Sequence, residues 1–420
     1  NGNTDAVKFL ISVKASIDVR NNCGQNPLWL AANSASVDAM KALLDAGAQL
    51  HSTCDKDGNT LICAAAAPAD PSVDNSNMLR YLISQNASVH ETNHVGKGPL
   101  SRAIEKSSSL TDTVRFLIAA GAPLDAPDKN GDTPVLIATK LSRIGAMAEL
   151  IKAKANVNVL NKGKKSALLF AAESANETTL RLLINAKADL EKRLSRNKTV
   201  LATMVSRDGK IYGQVIDQLI AAKASVNAMD DIGASMLYNA ASSGNVSTVQ
   251  RLLVAKAQLE LRNSAGMTAL NHASSHYNTA AIKILIDSNA SPNVVDDKAR
   301  TPLCHVAKKG RMATAQLLLN AGAKPDMPRV TPSALSRAAA RGHEGMVEQL
   351  LEAKALVNVG DSELTTPLMF AARSGTAQVA QLLIDAQAQL EKRNRHQETA
   401  LVEAVKTDNA EVLSLLIDAK

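Results

Sequence analysis

A small polar position that returns about every 33 residues is the strongest constraint on how this chain can fold. Successive spacings are 34, 38, 35, 33, 33, 36, 33, 33, 32, 33 and 33 residues. Such a period indicates tandem units that are each too small to bury their own apolar residues and therefore stack on their neighbours. The positions are Asn26, Thr60, Gly98, Thr133, Ser166, Thr199, Ser235, Thr268, Thr301, Ser333, Thr366 and Thr399.

The recurring position predicts the start of a helix in every unit. Ser, Thr, Asn and Gly are favoured or tolerated at the N-cap of a helix. In five units the next residue is a proline, whose fixed φ suits the first helical position and whose missing N–H is not needed there. These prolines are Pro27, Pro99, Pro134, Pro302 and Pro367.

Two helices of different character are expected in each unit. The first is rich in alanine, as in Ala171-Ala172, which lets neighbouring helices approach closely. The second begins about ten residues later and carries apolar residues at i, i+3 and i+4, which form one buried stripe. Two such stripes are Val249, Leu252 and Leu253, and Val379, Leu382 and Leu383.

Short motifs within the units are more specific than the period. They are Gly131-Asp132-Thr133-Pro134-Val135, Arg300-Thr301-Pro302-Leu303, Thr366-Pro367-Leu368, Leu319-Asn320-Ala321-Gly322-Ala323 and Val157-Asn158. In these segments the chain resembles the ankyrin repeat family over essentially its whole length. The resemblance implies an all-α repeat solenoid, with a β-hairpin-like loop and two antiparallel helices per repeat in a curved, elongated array.

Several units depart from the family pattern. Few keep the usual His after the Leu, so the hydrogen bonding of that His is in doubt. Three turns between helices carry extra residues, at 68–77, near Ser107–Ser109 and at Asp208–Gly213. Insertions in repeat proteins fall in loops and often contact partners, although neutral drift in an exposed turn explains them as well.

We predict one continuous array over residues 1–420, with partial repeats at 1–20 and 394–420. The first residues align with the middle of a repeat, and the last residue, Lys420, aligns with Lys256 at the end of a second helix. Neither end carries the polar capping repeat that such arrays need for solubility. A monomeric fragment of a longer protein is therefore expected.

A second recurring position follows the second helix, where the family usually has glycine. A left-handed lysine there costs about 1 kcal/mol relative to glycine, and its charge at the helix C-terminus returns about 0.3–1 kcal/mol. These terms nearly offset, so the row needs no function, and a basic ladder for an acidic partner is the alternative. The lysines are Lys14, Lys154, Lys187, Lys223, Lys256, Lys354 and Lys420.

The resemblance implies that partners bind at the hairpin tips and on the exposed face of the first helices. These positions are basic, then small and neutral, then basic along the chain. An extended acidic segment would gain charge-assisted contacts and steering there, whereas a solvated face with scattered basic residues is the alternative. The candidate partner-binding residues are Lys165, Arg196, Lys198, Arg207, Met267, His276, Arg300, Lys308, Lys309, Arg341, Arg373 and Lys406.

No sequence pattern indicates catalysis, a cofactor or a metal. His272 and His276 have the i, i+4 spacing of two metal ligands, but Ala273 stands where a zinc protease needs Glu and no third ligand is evident. Nucleic acid is disfavoured because the chain has only 2% aromatic residues for base stacking. The cysteines lack paired metal spacing, which favours free thiols in a reducing, cytoplasmic or otherwise intracellular compartment. They are Cys23, Cys54, Cys63 and Cys304.

Two functional hypotheses remain from the sequence. The first is a non-catalytic scaffold that binds partner proteins through its concave groove and hairpin tips. The second is a regulatory or substrate-targeting arm of a larger enzyme or ubiquitin-ligase adaptor. A channel-type protein is a third option, although no run here approaches the roughly 18 apolar residues of a membrane span.

Overall fold

The computed structural model describes residues 4–50, 55–107, 109–207 and 209–419. These residues form two compact units, unit 1 at Asn1–Ser195 and unit 2 at Arg196–Lys420. Each unit is a stack of helical repeats, as the fold class predicted from the sequence requires, while one uninterrupted array stays a prediction. Of the positions singled out in the sequence, Asn1, Cys54, Ser108, Asp208 and Lys420 lie outside the described residues.

Unit 1 alternates short first helices with second helices of nine residues. Each first helix packs on its own second helix and on the first helix of the next repeat. The helices are α1 (Thr4–Ser12), α2 (Pro27–Asn33), α3 (Val37–Asp45), α4 (Leu61–Ala66), α5 (Ser76–Ser84), α6 (Pro99–Lys106), α7 (Thr111–Ala119), α8 (Pro134–Lys140), α9 (Ile144–Lys152), α10 (Ala167–Glu173) and α11 (Glu177–Asn185).

Unit 2 repeats the same alternation after a short 3₁₀ turn at Ser195–Asn197. Its helices are α12 (Val200–Val205), α13 (Gly209–Ala221), α14 (Met236–Ser243), α15 (Val246–Val254), α16 (Ala269–Ser275), α17 (Thr279–Asp287), α18 (Pro302–Ala307), α19 (Met312–Asn320), α20 (Ala334–Ala339), α21 (Glu344–Glu352), α22 (Pro367–Ser374), α23 (Ala377–Asp385), α24 (Ala400–Lys406) and α25 (Ala410–Asp418).

All twelve recurring positions are N-caps of first helices, as predicted. In eight of them the side chain accepts a hydrogen bond from the backbone N–H three residues later. These are Asn26, Ser166, Thr199, Ser235, Thr268, Thr301, Ser333 and Thr366. The five prolines each occupy the first helical position.

The loops between repeats are hairpin-like turns rather than strands. Within the described residues the pairing of β type is one isolated bridge, between Met229 and Ser235. Each tip is closed by its own hydrogen bonds and joined to the next tip, as where Asp297 N donates to Ala265 O at 3.1 Å. Gly266 allows this approach, because it has φ +69° and a Cβ there would collide with the Asp297 carboxylate.

The core follows the predicted stripes with one adjustment. Leu252 and Leu383 are fully buried, whereas Leu253 and Leu382, predicted as members of the same stripes, are half-buried. The other leucine of each pair is turned toward the edge of the layer, since one helical stripe cannot bury two successive residues equally. Alanines such as Ala240 and Ala241 are fully buried between first helices.

The described part of this insertion, 209–213, does not form the predicted loop. Residues from Gly209 onward belong to α13, which reaches 13 residues. The spacing from Thr199 to Ser235 exceeds the common value of 33 by three residues, close to one turn of about 3.6 residues. The extra residues therefore lengthen the helix by about one turn and keep the register of its buried stripe.

The lysines after the second helices adopt the left-handed conformation, as predicted for this row. Lys14, Lys154, Lys187, Lys223, Lys256 and Lys354 have φ between 58° and 71°. Glycine takes the same conformation at Gly47, Gly121 and Gly322. The row is a structural feature of the turn in both units.

Candidate partner-binding surface

Two positions of each repeat determine whether its surface charges are paired within the repeat or free to contact a partner. The tip position precedes the N-cap, and the helix-end position lies seven residues after the N-cap. In three repeats of unit 1 these positions pair with each other. Lys165 Nζ lies 2.9 Å from Glu173 Oε2, and Lys97 is bridged to Glu105 in the same way. With the signs reversed, Lys140 Nζ lies 3.9 Å from Asp132 Oδ2. Lys165, a candidate contact residue, is thus compensated within its own repeat.

Pairs of this kind also occur toward both ends of unit 2. Lys198 Nζ donates to Ser206 Oγ at 3.0 Å, and Lys406 is bridged to Glu398. The hydrogen bonds from Lys406 and Asn394 hold the pKa of Glu398 below its usual value. These lysines are candidates from the sequence whose charge is already partly engaged.

Arg373 is engaged by the following repeat. Its Nη2 and Nε donate to the two carboxylate oxygens of Glu403, at 2.6 and 3.1 Å. The Glu403 side chain is only 4% exposed, and the hydrogen bond to it raises the pKa of Arg373. A bidentate pair of this geometry is strong, so Arg373 mainly serves the contact between repeats.

The tip pair is absent in the middle of unit 2, among the described residues. The repeat that begins at Thr301 has Arg300 at its tip and Lys308 at its helix end, so both positions are basic. Arg300 turns back instead and places Nη2 2.8 Å from Asp296 Oδ2. Lys308 is exposed and forms no ion pair within the described part of the chain.

Further cations surround Lys308. The charged ends of Lys309 and Arg311 both lie 5.9 Å from the centre of the Tyr277 ring. The guanidinium of Arg337 donates through Nε to Pro332 O at 3.0 Å. We call Arg300, Lys308, Lys309, Arg311 and Arg337 the basic surface. The exposed Arg341 follows Lys309 at the corresponding position of the next repeat.

A depression of about 390 Å³ opens beside the basic surface, along the first helices α14, α16, α18 and α20. Aromatic and imidazole rings form one side, with Tyr238, His272, His276 and Tyr277. Arg300, Lys308 and Arg337 line the other side. No Asp or Glu is among its lining residues in the described structure. The depression is thus a polar, cationic hollow in a helical scaffold.

The ring side of the depression is built by stacking. The rings of Tyr238 and His272 are parallel within 12°, with centroids 3.7 Å apart. His276 meets His272 edge-on at 4.4 Å. Burial lowers the pKa of His272 to about 4, and the charges of His276 and His305 act in the same direction. His272 is therefore neutral at pH 7.

His305 lies beneath the cations and is also neutral. Its side chain is 9% exposed, and Nε2 lies 3.4 Å from Asp296 Oδ2. Burial, followed by the charge of Arg300, lowers the pKa of His305 to about 4, against the attraction of Asp296. Asp296 is engaged by Arg300, so its charge does not neutralise the rest of the basic surface.

Burial and hydrogen bonding shift the pKa of Asp296 in opposite directions. Removal from water raises the pKa of this carboxyl, but hydrogen bonds from the Arg300 side chain and backbone, together with the charge of Arg300, outweigh it. The net effect lowers the pKa of Asp296 below its usual value. Asp296 is accordingly ionised at neutral pH and forms a stable partner for Arg300.

The structure brings together some of the residues proposed from the sequence and separates others. Met267, His276, Arg300 and Lys308 line the depression, and Lys309 lies on its rim. Met267, however, was expected on an exposed face and is buried at 8% exposure beside Ala234 and Tyr238. It forms part of the wall because an apolar tip residue packs under the turn instead of extending into water.

Arg196 and Arg207 do not line the depression. Arg196 occupies a tip with φ 56°, and its carbonyl accepts from Asp231 N at 3.2 Å. The Arg207 guanidinium lies 5.8 Å from the centre of the Tyr212 ring. These two candidates are exposed and have separate local contacts.

Three residues of the site were missed in the sequence: His305, Arg311 and Arg337. A signal for two of them was present, because His272, His305 and Arg337 each lie four residues after an N-cap in successive repeats. This position points along the same face in every first helix. Arg311 had no such signal, since it belongs to the turn before α19.

Groups of three or more His, Cys, Asp or Glu placed to hold a metal ion are not found among the described residues. A search of the same residues likewise finds no helix long and apolar enough to cross a membrane. The arrangement offers cations, neutral imidazoles and an acid-free hollow, which suit recognition of an anionic group.

Comparison with known proteins places these repeats in a family. A family model described as ankyrin repeats (3 copies) matches residues 1–93, 67–159, 100–194, 201–296, 237–329, 273–361 and 335–420. Over 200 residues the chain is 28% identical to neurogenic locus notch homolog protein 1 of Xenopus tropicalis, covering 44% of this chain and 8% of that protein. Over 196 residues it is 29% identical to B-cell lymphoma 3 protein homolog of Mus musculus, covering 46% and 42%.

Among solved structures, the human ASB11 ankyrin repeat domain is 26% identical, with a TM-score of 0.46. The match covers 52% of this chain and 98% of that one. The chain spans less than half the length of either curated relative.

Proposed function

From the premise that the chain belongs to the ankyrin repeat family, whose repeats are protein-interaction modules, we propose that it is a non-catalytic scaffold. Its basic surface and the adjoining depression in unit 2 capture an acidic segment of a partner protein. The observation that carries this proposal is the absence, among the described residues, of a tip pair where Arg300 and Lys308 are both basic.

Charge availability supports this location over the others. A lysine already paired to a carboxylate gains little from a second one, because the first partner must be displaced. Lys165, Arg373 and Lys406 are in that state. Lys308 has no carboxylate to displace, and charge-assisted contacts with an acidic side chain would be new ones. The favourable field would also steer the encounter.

Rigidity of the scaffold supports the same proposal. The cations of the basic surface stand on or beside helices α18, α19 and α20, whose buried faces are packed. Binding to a pre-ordered surface loses little conformational entropy in the scaffold. The partner then provides most of the ordering, as an extended segment can.

A charge-reversal experiment tests the proposed surface. Lys308→Glu/Lys309→Glu is compared with Lys283→Glu/Lys324→Glu, which changes the net charge equally at other exposed positions. The probe is a fluorescent peptide of alternating glutamate and alanine, followed by anisotropy at low salt. We expect the first variant to bind at least about tenfold more weakly and the control to bind almost as the parent does. Equal binding by the parent and the first variant would reject the proposal.

A second proposal concerns the protein to which these repeats belong. We propose that the array can serve as the regulatory or substrate-targeting arm of a larger enzyme or ubiquitin-ligase adaptor. In the notch relative the matched repeats make up 8% of the protein, so repeats of this kind do occur as a small part of a longer chain. Affinity purification of the full-length protein should then recover an enzyme or ligase subunit. Recovery of binding partners alone would leave only the scaffold function.

Location and oligomeric state belong to the same proposal. We expect the protein to act inside the cell, where the thiols of Cys23, Cys63 and Cys304, which are free in the structure, would stay reduced. We also expect the chain to be a monomer. Imaging of the tagged full-length protein and light scattering of the purified chain measure these two properties directly.

A further inference from the structure

We infer that the depression in unit 2 is a phosphate subsite, which receives a phosphorylated side chain within the partner's acidic segment. The inference rests on the proposed function and adds to it the chemical class of the central contact. Its basis is one hollow that is lined by cations and imidazoles and whose lining, in the described structure, contains no Asp or Glu.

The charges that line the depression match a dianion. Of the three lining cations, Arg300 is compensated by Asp296, whose side chain is fully buried. Lys308 and Arg337 have no carboxylate partner within the described residues. A phosphorylated Ser, Thr or Tyr carries about −1.5 to −2 charges at pH 7. It would neutralise both remaining cations, whereas one carboxylate would neutralise half of this charge.

Arg337 has the geometry for such a contact. Its Nε is bound to the Pro332 carbonyl, which fixes the plane of the guanidinium. Five N–H donors belong to a guanidinium, and the four on its two terminal nitrogens remain in addition to this bond. Two parallel N–H groups fit two oxygens of one phosphate group. Lys308, at the end of the preceding first helix, adds a point charge.

A buried imidazole nitrogen without a partner provides an independent indication of a ligand. His272 Nδ1 is buried and has no hydrogen-bond partner in the described structure, while His305 Nε2 lies 3.4 Å from Asp296 Oδ2. Both residues line the depression, and the His305 side chain is 91% buried, the complement of its 9% exposure. A buried polar atom without a partner costs about 1–3 kcal/mol. The three acceptor oxygens of a phosphate, directly or through a water, would satisfy N–H donors at this depth.

The shape of the site favours a phosphopeptide over a nucleic acid or a membrane. Tyr238 is 7% exposed and its ring is stacked on His272, so the Tyr238 ring does not offer an open face for a base. A flat layer of lipid headgroups would reach Lys309 and Arg311 on the rim but not the buried His305. An extended peptide can insert one phosphorylated side chain and lay its acidic neighbours on the rim.

The test compares three peptides that differ only at their central residue. Each is a nine-residue alternation of glutamate and alanine with phosphoserine, glutamate or serine at the centre. We expect the phosphoserine peptide to bind the chain about tenfold more tightly than the glutamate peptide. Millimolar inorganic phosphate should reduce this advantage, whereas the same concentration of chloride should not.

Variants locate the phosphate contact. Lys308→Gln/Arg337→Gln should reduce the advantage of phosphoserine to less than about twofold, while Lys283→Gln/Lys324→Gln should retain it. Circular dichroism verifies folding. If the double variant is unfolded, Lys308→Gln alone, at an exposed helix end, should still remove most of the advantage.

Other outcomes overturn the inference. Equal affinity for phosphoserine and glutamate, or an advantage that survives in the Lys308→Gln variant, would exclude a phosphate subsite. So would binding of phosphatidylserine vesicles that displaces the phosphopeptide. The proposed function fails separately: it is rejected only when the acidic serine peptide binds the parent and the Lys308→Glu/Lys309→Glu variant equally.

Discussion

The repeat that begins at Ser166 and the repeat that begins at Thr301 use the same two positions in opposite ways. In the first, Lys165 at the tip and Glu173 at the helix end form an ion pair. In the second, Arg300 and Lys308 are both basic, and Arg300 is held by Asp296 instead. The scaffold is unchanged between them, because both have a capped first helix with a buried, mainly apolar face. Reversing the sign of one residue, at the helix-end position, thus removes the tip pair.

The residue four positions after the N-cap follows the same contrast. In the Ser166 repeat it is Phe170, and the Lys165 ammonium lies 5.4 Å from its ring centre. In the Thr301 repeat it is His305, which lies beside Asp296 below the cations. An apolar ring closes the surface of the Ser166 repeat, while an imidazole leaves a polar floor in the Thr301 repeat.

The largest predicted effect is a loss of folding stability. It should be the same in both units, so it tests whether their cores are packed equally well. Leu183→Ala and Leu252→Ala each remove a fully buried leucine from the same place in a second helix. Each should lower the free energy of unfolding by about 2–5 kcal/mol through the cavity created. Urea denaturation of both variants measures this loss. A much smaller loss in one unit would mean that the stacked cores differ.

The next largest predicted effect is on peptide binding. It is tested by exchanging the charges at the helix-end positions of the Ser166 and Thr301 repeats. Lys308→Glu places a carboxylate opposite Arg300, as in the tip pair of unit 1, and should weaken binding of the acidic peptide about tenfold. Glu173→Lys makes the Ser166 repeat doubly basic but leaves it with Phe170, so it should gain at most about twofold. Anisotropy titrations of both variants compare them. A large gain from Glu173→Lys would show that charge alone defines the surface.

A smaller effect distinguishes N-caps that make a side-chain bond from those that do not. The Thr268 side chain accepts from Asn271 N, so Thr268→Ala should cost about 1 kcal/mol of stability. Thr133 Oγ1 has no hydrogen-bond partner in the described structure, and Thr133→Ala should be nearly neutral. Thermal denaturation of the pair is the measurement, and equal losses would refute the assigned capping bonds.

The smallest predicted effect is the change of folding stability with pH. His272 and His305 have pKa values lowered to about 4 in the folded chain, against an ordinary value of 6.5. The unfolded chain therefore binds more protons below pH 6.5, and stability falls as the pH is lowered from 6.5 toward 4. Above 6.5 both states are neutral and this contribution is fully present. His305→Gln should flatten the dependence in urea denaturation at several pH values, whereas an unchanged slope would exclude its role.

The regular features of the fold were predictable because they are local. A cap such as Thr268, or a left-handed residue such as Lys256, is determined by its neighbours in one turn. The same two residues therefore recur with the period of the sequence. Periodicity also identified the buried stripes, although it could not decide which leucine of a pair lies deeper.

The candidate site was less predictable, since it depends on which of several possible contacts each side chain makes within the folded chain. Arg373 could have faced solvent but meets Glu403, 30 residues away. Met267 lies at a position that is often exposed, yet it packs beneath its tip. The lengthened α13 depends on whether an insertion matches a helical turn. Each of these outcomes is decided by packing between repeats, which a single repeat does not contain.

Hydrogen exchange measured by mass spectrometry, with and without the acidic phosphoserine peptide, tests the central claim most directly. If the basic surface of unit 2 binds the peptide, protection of the backbone amides from exchange should increase at 300–311 and 334–341. Protection should stay unchanged at 97–106 and 165–173, where the tip and helix-end residues pair with each other. Protection concentrated at 97–106 and 165–173, or absent from 300–311 under saturating peptide, would contradict the account.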